Sequence, residues 1–238
     1  MIDTHCHLLP AIDDGARDDA DALALARELV DAGVRFVVCT PHFSRRFPTD
    51  HGTARERLEA LRGLIDSAGI PLGLGLAAEV APGTAADAPP AQLKERSLGA
   101  GHLLVELEPD TPAGFVDLAL ARVRDLRLTC VFAHPERCRA VRSQPRILDS
   151  ARRAGALMQV VAPSLTGRWG DTAADAAWQL LDSGRVDLLA SDAHRPDRDG
   201  EHLMRALELV ARRLGPEALL ELTEHGPGRV AGLPPQAT

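Results

Sequence analysis

A closed α/β barrel, with parallel strands and helices alternating around one core, is the fold that this chain of 238 residues predicts. Seven short apolar runs alternate with amphipathic stretches of helical period, which is the pattern of a parallel sheet with right-handed crossovers. No glycine-rich phosphate loop follows any of the runs, which favours a closed barrel over an open, doubly wound sheet. Six of the seven runs end in histidine or a carboxylic acid, and in a parallel barrel all such ends meet on one rim.

The first run, Met1–Thr4, is too short for a helix and has no helical period. Over Asp18–Ala32, Ala22, Leu23, Ala26, Leu29 and Val30 recur at helical spacing, and Gly33 follows as a stop. Arg35–Thr40 (RFVVCT) is the second strand, and Leu58, Leu61, Leu64 and Ile65 mark the helix after it. Leu72–Glu79 (LGLGLAAE) is the third. Pro82–Gln92 (PGTAADAPPAQ) reads as a loop within the series, so a single domain spanning residues 1–238 is expected. His102–Leu107 and Leu128–Ala133 are the fourth and fifth strands, with a helix around Val116–Val123 between them. Ala156–Val161 is the sixth, followed by helical spacing over Ala173–Leu181. Val186–Ala190 is the seventh, and a helix over Leu203–Leu214 ends the series. There is no internal repeat or low-complexity tract.

The composition, 45% hydrophobic and 26% charged, is that of a globular protein long enough for one sizeable core. A net charge of −7 argues against a nucleic-acid sleeve or a polybasic membrane patch. Lys94 is the sole lysine, so the positive charge is almost all arginine, whose planar fork grips phosphate well. The chain has no tyrosine. His5 and His7 interrupt the first apolar run, so nothing there resembles a signal peptide, and no stretch approaches the ~18 apolar residues of a membrane span. Cys6, Cys39, Cys130 and Cys138 show no Cys-x-x-Cys spacing, which points to free thiols in a cytoplasmic setting.

The strand ends carry the chemistry. His5 and His7 follow the first run, with Asp13 and Asp14 close behind. His42 (TPHF) follows the second, Glu79 ends the third, and Glu106 ends the fourth with Glu108 two residues on. The fifth ends in AHPER, with His134 and Arg137; the seventh ends in ASDAH, with Asp192 and His194. Unpaired ionisable groups are costly to concentrate in one cleft, and bound metal ions compensate their charge. A metal site is therefore expected. Cys39–Arg45 (CTPHFSR) also fits the Cys-x5-Arg spacing of thiolate phosphatases. That mechanism needs a cradle of backbone N–H groups, and this stretch has Pro41 and no glycine, so the match is read as coincidence.

The stretches DTHCHLLPAIDDGA, CTPHF, AAEV, LLVEL, AHPERC, QVVAPSLTGRWG and SDAH resemble, in order and from Met1 to about Gly232, the bacterial PHP-type protein-tyrosine phosphatases. These are manganese-dependent enzymes encoded with capsule and exopolysaccharide genes. The resemblance implies a distorted, TIM-like barrel of seven βα units, the PHP fold, and three divalent cations, manganese or else iron or zinc. It implies one ion held by His5, His7, Glu79 and Asp192, a second that Glu79 bridges to with Glu106 and His134, and a third on Asp14, His42 and His194. The family's acid directly follows the apolar run, which favours Glu106 over Glu108, and Asp13 is read as the neighbour of a ligand. Arg137 is implied as a phosphate contact. A second arginine follows SDAH in the family; Arg195 and Arg198 are both available, and Arg198 falls one residue earlier than the family spacing. Cys138 stands where the family commonly has an aromatic residue.

The implied reaction is in-line attack on phosphorus by a metal-activated hydroxide, without a covalent enzyme intermediate. The implied substrate is phosphotyrosine on a tyrosine kinase of polysaccharide export, met peripherally at the membrane, with no role for nucleic acid. Two other readings stand beside it. A PHP phosphoesterase for a small metabolite such as histidinol phosphate is resisted by IDDG and SLTGRWG. A metal-bound but inactive regulatory scaffold is resisted by the full set of ligand types.

Overall fold

The protein is described here by a computed structural model covering residues 1–99 and 101–234. Its strands are β1 (Ile2–Cys6), β2 (Phe36–Cys39), β3 (His42–Phe43), β4 (Gly73–Leu76), β5 (Glu79–Val80), β6 (His102–Glu106), β7 (Thr129–Ala133), β8 (Leu157–Val161) and β9 (Leu188–Ala190). Among the described residues, every pairing between these strands is parallel. One sheet runs β1-β2-β4 and the other β3-β5-β6-β7-β8-β9. The two sheets share staves, since β2 leads into β3 and β4 into β5, with Cys39 opposite Leu76 and His42 opposite Glu79. Nine strands therefore make seven staves. The circle closes where Cys6 bridges Ala193, with His7 N donating to Ala193 O (2.8 Å) and Asp192 N to His5 O (3.0 Å).

The two-residue period of the strands explains both the core and the rim. Leu103, Val105, Cys130, Phe132, Met158 and Val160 face outward, fully or almost fully buried beneath the helices. Val38, Ala77, Leu104, Val131, Ala133 and Leu188 form a second, inner cluster. Continuing the same alternation toward the strand ends carries Leu104 to Glu106, Ala77 to Glu79, and Asp3 to His5 and His7. The ionisable rim thus stands directly on the apolar barrel interior.

The helices expected at Asp18, Leu58, Val116, Ala173 and Leu203 form as Asp19–Asp31, His51–Ser67, Ala113–Asp125, Asp171–Asp182 and Asp199–Leu214. Asp18 caps the first by accepting from Asp21 N (2.9 Å), and Gly33 leaves it at φ +88°.

Four expectations are corrected. The first strand extends through Cys6, so His5 lies within it. The third breaks into β4 and β5; its second half pairs with the short β3, displaced past Pro41, which lacks a ladder N–H. Pro82–Gln92 is no loop, because it contains helices Pro82–Asp87 and Pro90–Glu95, each begun by a proline in the first turn, where its missing N–H costs nothing. Leu214 does not end the fold: helix Pro216–Leu220, a wide π-type turn over Glu221–His225 and helix Gly226–Ala231 follow. This last helix brings Val230 into the inner cluster. Short helices Arg139–Ser143, Arg146–Arg153 and Ala162–Leu165 also form where no period was read. Among the described residues, no helix is long and apolar enough to cross a membrane.

Asp3 ties the seam. Fully buried, it accepts from Ser191 N (3.1 Å), Ser191 Oγ and His5 N (3.3 Å). Asp3→Ala would leave these donors without their acceptor, and about 2 kcal/mol or more of stability should be lost. Urea unfolding with an unchanged midpoint would contradict this account of closure.

Candidate metal centre

Nine side chains converge at the rim in four overlapping groups of possible metal donors. These are His7 with Asp14, His42 and His194; His5 with Glu79 and His134; His5 with His7 and Asp192; and His42 with Glu79 and Glu106. His5 Nε2 lies 3.4 Å from both His7 Nε2 and Glu79 Oε1 and 3.3 Å from Asp192 Oδ1. His134 Nε2 is 2.9 Å from Glu79 Oε1, and His42 Nδ1 is 3.0 Å from Glu79 Oε2. The His7 and His194 rings stack at 4.0 Å. His5, His7, Glu79, His134 and Asp192 are buried.

Local backbone aims these groups. His134 and Asp192 sit in the left-handed region, at φ +36° and +52°, which costs a non-glycine residue about 1–2 kcal/mol. Both are held there by the barrel, through His134 N to Gln159 O (2.9 Å) and Asp192 N to His5 O. The outer nitrogens of three of the histidines are also occupied. His7 Nδ1 meets Asp13 Oδ2 at 2.7 Å, His5 Nδ1 meets Gln159 Oε1 at 2.9 Å, and His194 Nδ1 meets Asp192 O at 2.8 Å. Each contact leaves Nε2 facing the cluster, as in carboxylate–histidine–metal arrangements. Asp13 also accepts from His42 N and Gly15 N. A Cβ on Gly15 would lie 2.1 Å from His7 O, so only glycine lets this turn fold over His7.

Electrostatics without a cation are those of a cluster held together by protons. Burial would lower His7, but the charge and hydrogen bond of Asp13 outweigh it and raise the imidazole to about 10. His42 rises to about 11, against burial, through Asp14 and Glu79. Burial, then the charge of Glu79, pushes Glu106 up to about 7. Burial alone would raise Glu79 and Asp192, yet His5 and its neighbouring imidazoles hold both below the usual carboxylate range. Burial, then the His7 charge, pushes His194 down.

The cluster floors a cleft of about 430 Å³, whose lining includes seven carboxylates (Asp14, Glu79, Glu106, Glu108, Asp192, Asp197 and Asp199) and four arginines (Arg46, Arg137, Arg168 and Arg195). All nine residues singled out as ligands lie in the donor groups. Glu108 is exposed at the cleft edge and in none of the groups; Asp13 is in none either, but its carboxylate is covered. Arg137 Nη1 is 3.3 Å from Asp192 Oδ2, and its guanidinium lies 4.5 Å from the Trp169 ring. Arg198 is exposed just before helix Asp199–Leu214 and does not line the cleft, whereas Arg195 does. Cys138 is buried and directed at Thr111 O. The aromatic faces come instead from Phe47, stacked on His42 at 5.4 Å, and Trp169. Sequence reasoning assigns no role to these two or to Arg46 and Arg168; SLTGRWG contains Arg168 and Trp169, but only as parts of a motif.

The donor set fits divalent cations. Asp14 Oδ1, one of the cluster's donors, is buried without a hydrogen-bond partner, and mixed imidazole and carboxylate donors suit first-row metals. Cys39 offers no rival nucleophile: it is fully buried, burial pushes its thiol up to about 12, and the Arg45 side chain is 91% exposed.

The chain matches the family described as "Capsular polysaccharide synthesis, CpsB/CapC" over residues 1–231. It is 30% identical over 227 residues to the tyrosine-protein phosphatase YwqE of Bacillus subtilis, covering 94% of this chain and 89% of that protein. It is 24% identical over 240 aligned positions to the tyrosine-protein phosphatase CpsB of Streptococcus pneumoniae, covering 97% and 98%. A chain from the crystal structures of YwqE and CpsB, reported as unique metal-dependent tyrosine phosphatases, superposes with TM-score 0.85 at 28% identity, over all of this chain and 97% of that one. Dihydropyrimidinase from Brevibacillus agri shares the fold, with TM-score 0.63 at 12% identity over 98% of this chain and 70% of its own.

Ligation requires neutral imidazoles, and at neutral pH His7 and His42 hold protons in the metal-free protein. Manganese binding should therefore release at least one proton, and affinity should rise with pH by roughly tenfold per unit for each proton released. Calorimetric titration in buffers of different ionisation heat measures both; an affinity flat between about pH 6 and 8 would contradict this charge assignment.

Proposed function

The chain belongs to the CpsB/CapC family of capsular polysaccharide synthesis and is by that kinship a metal-dependent tyrosine-protein phosphatase; from this premise we propose how its own residues do the work. The observation that carries the proposal is the charge of the cleft. Seven carboxylates face four arginines, and once His7 and His42 give up their protons to act as ligands, a phosphate dianion would be repelled unless cations offset the excess. We assign three divalent ions, with manganese as the cation: one to His5, His7, Glu79 and Asp192, one to Glu79, Glu106 and His134, and one to Asp14, His42 and His194. The overlapping donor groups support this, with His5, His7, His42 and Glu79 each shared between two of them.

Bound there, such ions supply a coordinated water acidified toward neutral pH and positive charge against the phosphoryl oxygens. Phosphoryl transfer leaves the protein mainly the tasks of positioning and charge stabilisation. Arg137, oriented by Asp192 and Trp169, presents its planar fork to the phosphoryl oxygens. Arg195 fits the role of second arginine better than Arg198, because it lines the cleft; Arg46 and Arg168 add charge at the mouth. Phe47 and Trp169 offer aromatic faces to the phenyl ring. Asp13 and Gln159 keep the lone pairs of His7 and His5 aimed inward. The substrate we propose is the phosphotyrosine of a tyrosine kinase of polysaccharide export, reached from the cytoplasm.

With manganese added, a phosphotyrosine peptide should be turned over faster than histidinol phosphate. A chelator should abolish the activity, and Cys39→Ser should leave most of it. Turnover confined to histidinol phosphate overturns the protein substrate; chelator-resistant turnover lost in Cys39→Ser overturns the metal mechanism.

Removing single groups separates holding from gripping. Asp192→Ala should lose metal and activity together while the fold persists. Arg137→Ala should keep its metal, measured on the purified protein, and lose about 100-fold in rate or affinity, the usual worth of one oxyanion contact. Full activity in Arg137→Ala would remove that residue from the site.

A further inference from the structure

Beside the cleft lies a second, larger concavity of about 580 Å³, against about 430 Å³ for the cleft itself. The two adjoin, because Ser44, Arg46 and Glu108 line both. Their chemistry differs. The cleft is crowded with charge, whereas the groove has walls of Pro82, Gly83, Pro112 and Phe115. Its charges are largely paired, Arg45 with Asp87 at 3.3 Å and Asp110 with Arg139 at 2.5 Å, and at the junction Arg46 and Glu108 carry opposite signs. Phe115 is nevertheless 42% exposed, and Leu118, one turn further along helix Ala113–Asp125, is 56% exposed. Apolar side chains left in water at the edge of a reaction site mark a surface that something covers.

We propose that this groove seats the substrate polypeptide next to its phosphotyrosine, taking uncharged, apolar residues on one side of the modified tyrosine. The inference rests on the phosphotyrosine-phosphatase reading above and adds the origin of its preference for a peptide. The cleft alone would hold a small phosphate monoester, which would leave the groove empty. A peptide whose phosphotyrosine enters the cleft must leave it in some direction, and the shared wall at Ser44 and Arg46 opens it onto Phe115. Charges on the peptide beyond the junction at Arg46 and Glu108 would meet an apolar wall whose neighbouring charges are already paired, and would be disfavoured.

Two substitutions outside the phosphoryl-binding cleft test this in the full-length, manganese-loaded protein. Phe115→Ala removes the aromatic wall. Gly83→Leu fills the groove instead: a Cβ there meets only Phe115 Cε1, at 3.8 Å, so the longer side chain enters open space without backbone conflict. The substrates are p-nitrophenyl phosphate and two phosphotyrosine peptides, one with alanine, valine and leucine flanks and one with aspartate and glutamate flanks. Both variants should lose about tenfold in kcat/KM on the apolar peptide, mainly through KM, and stay within about twofold of wild type on p-nitrophenyl phosphate. Wild type should favour the apolar peptide over the acidic one. Equal losses on small ester and peptide, no loss on the peptide in either variant, or a preference for acidic flanks would overturn the groove assignment. A manganese-loaded wild type that turns over neither ester nor peptide would instead overturn the phosphatase reading, and the groove with it.

Discussion

Crowding of inward-facing lone pairs is the constraint on which the rest of this structure depends. Around His5 Nε2 alone, another imidazole nitrogen and two carboxylate oxygens lie within 3.4 Å. Donors this close repel unless protons or cations stand between them. The barrel holds them regardless. Asp3 pins the seam that carries His5 and Asp192, the left-handed turns at His134 and Asp192 are fixed by strand-to-strand hydrogen bonds, and Gly15 lets Asp13 press on His7. Rigidity beneath the rim is what keeps mutually repelling groups together.

Much of that rim was legible because it obeys a local rule. A strand alternates its faces, so a histidine or acid two or four positions beyond an inward apolar residue is itself inward, as Glu106 is after Leu104. Contacts that depend on a loop's path through space were not legible. Phe47, Trp169, Arg46 and Arg168 come from irregular segments whose approach to the cleft no periodicity encodes. Counting residues after SDAH leaves Arg195 and Arg198 both available. Asp199 turns inward to accept from His194 N and Arg195 N, and at that pivot Arg198 stays exposed while Arg195 lines the cleft. The short helices starting at Pro82 and Pro90 were hidden because proline reads as a breaker unless its place in the first turn is known.

The division of labour between barrel and loops follows from the same geometry. Strand ends supply most of the candidate metal donors, because the barrel fixes them closely. Loop residues supply the arginines and aromatics that line the cleft above them. A scaffold of this kind can keep one metal-ready floor and change what it accepts by changing its walls.

The four cysteines have a consequence of their own. Each is at most 1% exposed, and burial holds the Cys6, Cys39 and Cys130 sulfurs in their protonated form. Peroxides and alkylating agents react with accessible thiolates, and these sulfurs present none. A tyrosine phosphatase whose sulfur serves only as packing is insulated from the thiol oxidation that silences enzymes attacking through cysteine. Under the metal mechanism proposed above, dephosphorylation by this chain proceeds independently of the thiol redox state around it.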